Sequence, residues 1–118
     1  SKINPGGKKL DCKKSQPLNT SFAAHVAPLG LEYFDNGSSD PLRNTFLVAL
    51  HGSTNKRIAR GYRVVQVVNG STRDFITGFL QGGVVNGRPC DIFKLGPDSF
   101  LLTDDKAGVI YLIEKKRR

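Results

Sequence analysis

Apolar and polar residues alternate in short blocks along this chain. After Phe22 the blocks take a regular form. "AAHVAPLGLEYF" (23–34) is apolar and ends at the turn signal "DNGSSDP". "NTFLVALHG" (44–52) follows, without the clean alternation of a half-buried strand, as expected of a strand covered on both faces. The polar, basic loop "STNKRIAR" leads to "GYRVVQVVNG" (61–70), rich in valine and closed by the hairpin dipeptide Asn69-Gly70. "TRDFITGFL" (72–80) is a weaker fourth strand, and "QGGVVNG" is a glycine-rich link. The last block, "GRPCDIFKLGPDSFLLTDDKAGVIYLIEKK" (87–116), holds three apolar runs separated by a Gly-Pro-Asp turn and an Asp-Asp/Gly turn. In that second turn Asp104 and Asp105 read as residues that cap a hairpin. The runs are too short and too β-branched for helices, and Gly or Pro interrupts them. The pattern predicts an all-β, antiparallel protein.

The blocks also repeat. Four strands in residues 22–80 are followed by three in the same order in residues 88–114. A four-stranded antiparallel sheet repeated along a chain is the sequence form of a propeller blade. The chain therefore predicts one blade (22–80) and one incomplete blade (88–114), together a partial β-propeller over 21–114. An irregular basic arm (1–20) precedes it and a basic tail (115–118) follows. Two blades cannot close a ring, which needs roughly four to eight. Such a pair exposes two apolar faces, a larger patch than monomers normally show. The expected partners are the remaining blades or further copies of the chain, a trimer being the arrangement that completes six blades.

Composition adds limits. The 118 residues suffice for one ordinary domain, and the 13 glycines suit a turn-rich β protein. No apolar run approaches a membrane span, and the opening residues lack the apolar core of a secretory signal. Methionine is absent even at position 1, which predicts a processed or excised piece rather than a raw translation product. The formal net charge is +8, much of it at the two ends, where solvated tails are the ordinary reading. Nothing accompanies it that would read nucleic acid: no recognition helix, zinc-finger spacing or aromatic-basic motif. Cys12 and Cys90 match no metal or redox spacing; they are either a disulfide of an oxidising compartment or two free thiols. Asn19, Asn36 and Asn69 each open an Asn-x-Ser/Thr acceptor sequence, which fits a secreted or periplasmic history.

"HVAPLGLEYF", "FLVALHGSTNKR", "RGYRVVQV", "DFITGFL" and "GRPCDIFKLGPDSFLLTDD…GVIYLI" occur in that order. Together they resemble the C-terminal part of the soluble quinoprotein glucose/sorbosone dehydrogenases, over about residues 22–114. The resemblance implies a six-bladed β-propeller that holds pyrroloquinoline quinone (PQQ), an anionic tricarboxylate, over its central channel. It implies a cofactor contact for Arg88 in "GRP", since a guanidinium suits a planar carboxylate. Some family members carry a second arginine two residues on, where this chain has Cys90. The loop "HGSTNKR" matches a segment that supplies another cationic contact, from Lys56 or Arg57. His51 and His25 fall at channel-facing positions. The family's general base and calcium ligands lie in earlier blades, so this chain has no catalytic or metal residue of its own and is not active alone. It would supply cationic cofactor contacts to a PQQ-dependent sugar dehydrogenase, an oxidoreductase, completed elsewhere. The alternative is a non-catalytic basic β module that binds an acidic polymer or a protein partner. No Ser-His-acid, Cys-His, P-loop or dinucleotide signature supports a different enzyme class.

Overall fold

The computed structural model describes residues 5–9, 11–14, 16–55 and 57–116. Among these residues nine strands form three antiparallel sheets. The first sheet has the order β1 (Pro28–Phe34), β2 (Thr45–Leu50), β3 (Arg63–Val68), β4 (Ser71–Ile76). A small hairpin pairs β5 (Leu80–Gln81) with β6 (Val84–Val85). The last sheet is a meander of β7 (Pro89–Gly96), β8 (Ser99–Asp104) and β9 (Val109–Glu114). The all-β antiparallel reading holds, and the described residues form no closed ring.

Two details differ from the sequence pattern. The fourth strand stops at Ile76 rather than running to Leu80, and the glycine-rich link is itself a hairpin turning at Gly82-Gly83. Thr77 and Gly78 turn the chain out of the sheet, so Phe79 drops into the core while Leu80 pairs with Val85. Among its described residues the N-terminal arm holds two 3-10 turns, Pro5–Gly7 and Cys12–Lys14. The Asn69-Gly70 turn is as the dipeptide signals: both residues have positive φ, and Val68 pairs with Ser71 across it.

The two larger sheets pack face to face. Phe34, Leu47, Ala49 and Val64 of the first sheet meet Ile92, Phe100 and Leu102 of the last. The Phe34 and Phe100 rings meet edge to face with centroids 5.7 Å apart, and Lys94 Nζ lies 5.2 Å from the Phe34 ring centroid. The seam closes tightly at Gly30: a Cβ there would stand 2.7 Å from the Asp91 backbone Cα. The reverse face of β2 and β3 carries Val48, Leu50, Val65 and Val67, packed with Val26 and Phe22. Cover on both faces explains why these two strands read as continuous apolar runs.

The outward flanks are bare. On one side Leu29, Leu31 and Phe46 are exposed, next to a groove of about 440 Å³. On the other, Phe93 is 64% exposed, Leu95 53%, Ile110 66% and Leu112 57%, and Phe93, Leu101 and Leu112 stand in register across the meander. Leucine and phenylalanine are placed here with the alternation of a buried face, yet nothing among the described residues covers them.

Candidate functional site

At one end of the paired sheets the β2–β3 loop (51–62) meets the turn between β8 and β9 and the entry to β7. The loop is held from several directions. His51 and Gly52 donate backbone N–H bonds to the carbonyls of Ala27 and Val26, each 2.9 Å, and Ser53 donates to Arg60, 3.0 Å. The buried Tyr62 hydroxyl donates to the Ser53 carbonyl.

The last sheet grips the same loop. Arg88 donates from Nε to the His51 carbonyl at 3.1 Å and from Nη2 to the Gly52 carbonyl at 2.7 Å. His51 Nε2 stands 2.8 Å from Asp105 Oδ1. This imidazole bond, opposed by burial and helped by electrostatic attraction from the His51 ring and the Arg88 guanidinium, holds the Asp105 carboxyl below its ordinary pKa.

Asp104 is the hub beneath this contact. It is 2% exposed, and Oδ1 accepts the N–H groups of Arg88 (2.9 Å), Lys106 (3.1 Å) and Ala107 (2.9 Å). Oδ2 accepts the Tyr111 hydroxyl at 3.3 Å. Burial and the neighbouring Asp104 charge push the Tyr111 phenol above its usual pKa. The cap expected of Asp104 in the hairpin turn is present, and it also ties down the entry to β7.

A cavity of about 470 Å³ opens here, lined by Ser53, Thr54, Ala59, Tyr62, Gly83, Val84, Val85, Arg88 and Lys106. It combines two cationic side chains, three hydroxyls and an apolar wall. Of the residues singled out in the sequence, Arg88 lines it and His51 adjoins it. Arg57 lies exposed on the bordering loop, its N–H bonded to Asn55 Oδ1 at 3.0 Å. His25 is exposed at φ +71°, next to Val26, which holds Gly52. Lys56 lies outside the described residues. Cys90 is a free, half-buried thiol. Lys106, Thr54 and Tyr62 were not legible as site residues. Lys106 reads as a solvated turn lysine, and only the fold brings its turn beside Arg88. Among the described residues no cluster of three His, Cys, Asp or Glu side chains is placed to hold a metal ion.

At the opposite end, the sheets are pinned by Asp98 in the β7–β8 turn. Its carboxylate accepts the Ser39 N–H at 2.6 Å and the Ser39 hydroxyl at 2.8 Å. The backbone bond first, then the hydroxyl bond and the charges of Lys115 and Arg43, hold Asp98 below its ordinary pKa, against the opposing effect of burial. Both pinning carboxyls, Asp98 and Asp105, bind protons more weakly folded than unfolded. Their contribution is therefore present above the unfolded value, about pH 4, and is lost as pH falls through the folded value. Denaturation midpoints measured against pH are expected to show an acid limb below about pH 4 that becomes shallower in Asp98→Asn and in Asp105→Asn. An unchanged limb in both variants would show that these contacts do not join the sheets.

The sequence profile of the TrAA12-like family matches residues 4–77, more than half of the chain. Among solved structures, the holo form of the pyranose dehydrogenase PQQ domain from Coprinopsis cinerea is similar, with a TM-score of 0.58 and 23% sequence identity. The likeness covers 77% of this chain and 27% of that one, so this chain spans little more than a quarter of that domain. No curated protein matches. The likeness is one of fold, and it agrees with the kinship to quinoprotein dehydrogenases expected from the sequence. The chain belongs to the TrAA12-like family.

Proposed function

We propose that this chain is a two-blade segment of a six-bladed propeller of the PQQ-dependent sugar dehydrogenase type. It forms a cationic wall of the cofactor site and is not active alone. The observation that carries this reading is the cavity at the seam, where Arg88 and Lys106 stand with Ser53, Thr54 and Tyr62. Such a lining suits a planar ligand bearing several carboxylates. Arg88 has five N–H donors, of which two are engaged by the carbonyls of His51 and Gly52. The others remain for a carboxylate, and the two engaged ones fix the plane of the guanidinium beforehand.

Arg88 would hold PQQ together with Lys106 and the bordering loop that carries Lys56 and Arg57. His51 acts through its carbonyl and its pairing with Asp105, and His25 borders the loop from below. Bound PQQ supplies a two-electron acceptor for oxidation of a sugar alcohol carbon. The residues of this chain bind and orient it: Arg88 and Lys106 offset its negative charge, and Val84 and Val85 keep water from one side. The base and the calcium ligands come from the other blades, as in the family that the sequence resembles. Those blades cover the bare flanks at Leu31 and Phe46 and at Phe93 and Ile110. They belong to a longer polypeptide, in keeping with the 27% share of the similar domain that this chain spans. Assembly of three copies is the other way to cover both flanks.

Titration of PQQ against the chain joined to the rest of its propeller tests the reading. Charge-assisted hydrogen bonds contribute about 1.5–3 kcal/mol, so Arg88→Ala is expected to weaken binding roughly 10- to 100-fold. Arg88→Lys keeps the charge and loses the fork, and should fall between the two. Equal PQQ affinity in all three proteins would sink the assignment. Binding of an acidic polymer that falls steeply with salt, without PQQ binding, would favour the basic-module alternative.

A further inference from the structure

The three acceptor asparagines lie far apart in sequence, and the fold brings them to one end of the first sheet. Asn36 follows Phe34, which pairs with Thr45 at that end, and Asn69 forms the turn closing the Val68–Ser71 pair. Asn19 comes to the same place through the arm: a Cβ on Gly70 would lie 3.1 Å from the Asn19 carbonyl oxygen. All three asparagines are exposed. The Ser39–Asp98 pin lies at this end too, whereas the Arg88 cavity lies at the other. The strands between them have six or seven residues, which separates the two ends by about 20 Å. Asn55 and Asn86, which lie toward the cavity end, open no acceptor sequence.

We infer that this rim is N-glycosylated, and that the chain passes through a secretory compartment where a lipid-linked oligosaccharide is the donor. In the transfer, the side-chain amide nitrogen of each acceptor forms a bond to the anomeric carbon of the sugar. The bond from that carbon to the donor's diphosphate breaks, the polyprenyl diphosphate leaves, and the amide gives up one proton. Three acceptors among seven asparagines exceed the one or so that chance supplies. Their gathering at the end away from the cavity is the second observation. Glycans at the rim are hydrophilic and bulky and leave the cavity free; Asn36 and Asn69 also stand clear of the groove beside Leu31 and Phe46, whereas Asn19 lines its edge. The inference does not depend on what the cavity binds.

Peptide mapping of the protein isolated from its own source, before and after peptide N-glycosidase, tests it. The enzyme leaves aspartate at every asparagine that carried a glycan. Conversion at two or three of Asn19, Asn36 and Asn69 is the expected result. In protein secreted from a eukaryotic host, Asn36→Gln and Asn69→Gln should each remove one step of the gel-mobility shift. Unmodified asparagine at all three positions, or conversion at only one, would overturn a shared glycosylated rim.

Discussion

Phe100→Ala is expected to cost about 3–5 kcal/mol of stability, the largest single loss in the protein. Phe100 is fully buried at the centre of the seam. Its ring lies 5.7 Å from that of Phe34 and 6.5 Å from that of Phe75, so it touches both the first and the fourth strands of the opposite sheet. Truncation leaves a cavity that the strands cannot close, because each sheet is held by its own ladder of backbone bonds. A domain of this size has a total stability of about 5–15 kcal/mol, so the variant sits near the edge of folding. Chemical denaturation of wild type and variant measures the difference. A loss below about 1 kcal/mol would show that the two sheets do not share a core at Phe100.

The second large effect is expected at Gly52. Its φ is +93°, and a Cβ there would lie 2.3 Å from two carbons of the Tyr62 ring. Gly52→Ala therefore combines backbone strain, roughly 1–3 kcal/mol, with overpacking of similar size. Tyr62 cannot retreat freely, since it is buried and its hydroxyl is bonded to Ser53. The variant is expected to push the loop outward and carry the Gly52 carbonyl away from Arg88. Under the proposed reading of the cavity, loss of stability should then come with weakened PQQ binding there. Wild-type thermal stability together with wild-type PQQ affinity would contradict the close approach of Gly52 and Tyr62.

Asp104 and Lys106 show how far local reading reaches. "TDDKAG" is legible as a tight turn, and Asp104 does cap it through the N–H groups of Lys106 and Ala107. The same carboxylate also accepts the Arg88 N–H, sixteen positions earlier in the chain. No spacing rule foretells that bond, since β7 and β8 must first pair. A cofactor contact was expected of Arg88 because of a family resemblance, and the structure places that residue on the lining of the cavity. Its engagement by the carbonyls of His51 and Gly52 was not legible, because carbonyl positions depend on the path of a loop in the other sheet. The early end of β4 was missed for a similar reason: Phe79 leaves the strand to fill core space that only the packed sheets define.

The sequence by itself determined the strands, their antiparallel order and the hairpin at Asn69-Gly70, since side-chain alternation and turn chemistry act over a few residues. It also determined that two apolar flanks would stay open, because a repeated sheet must offer both faces to neighbours. Only the tertiary structure decided which residues meet at the seam: His51 with Asp105, Arg88 and Lys106 around one cavity, and three acceptor asparagines on one rim. Those meetings depend on how two sheets stack, and stacking is set by the shape of whole faces rather than by any short stretch of chain.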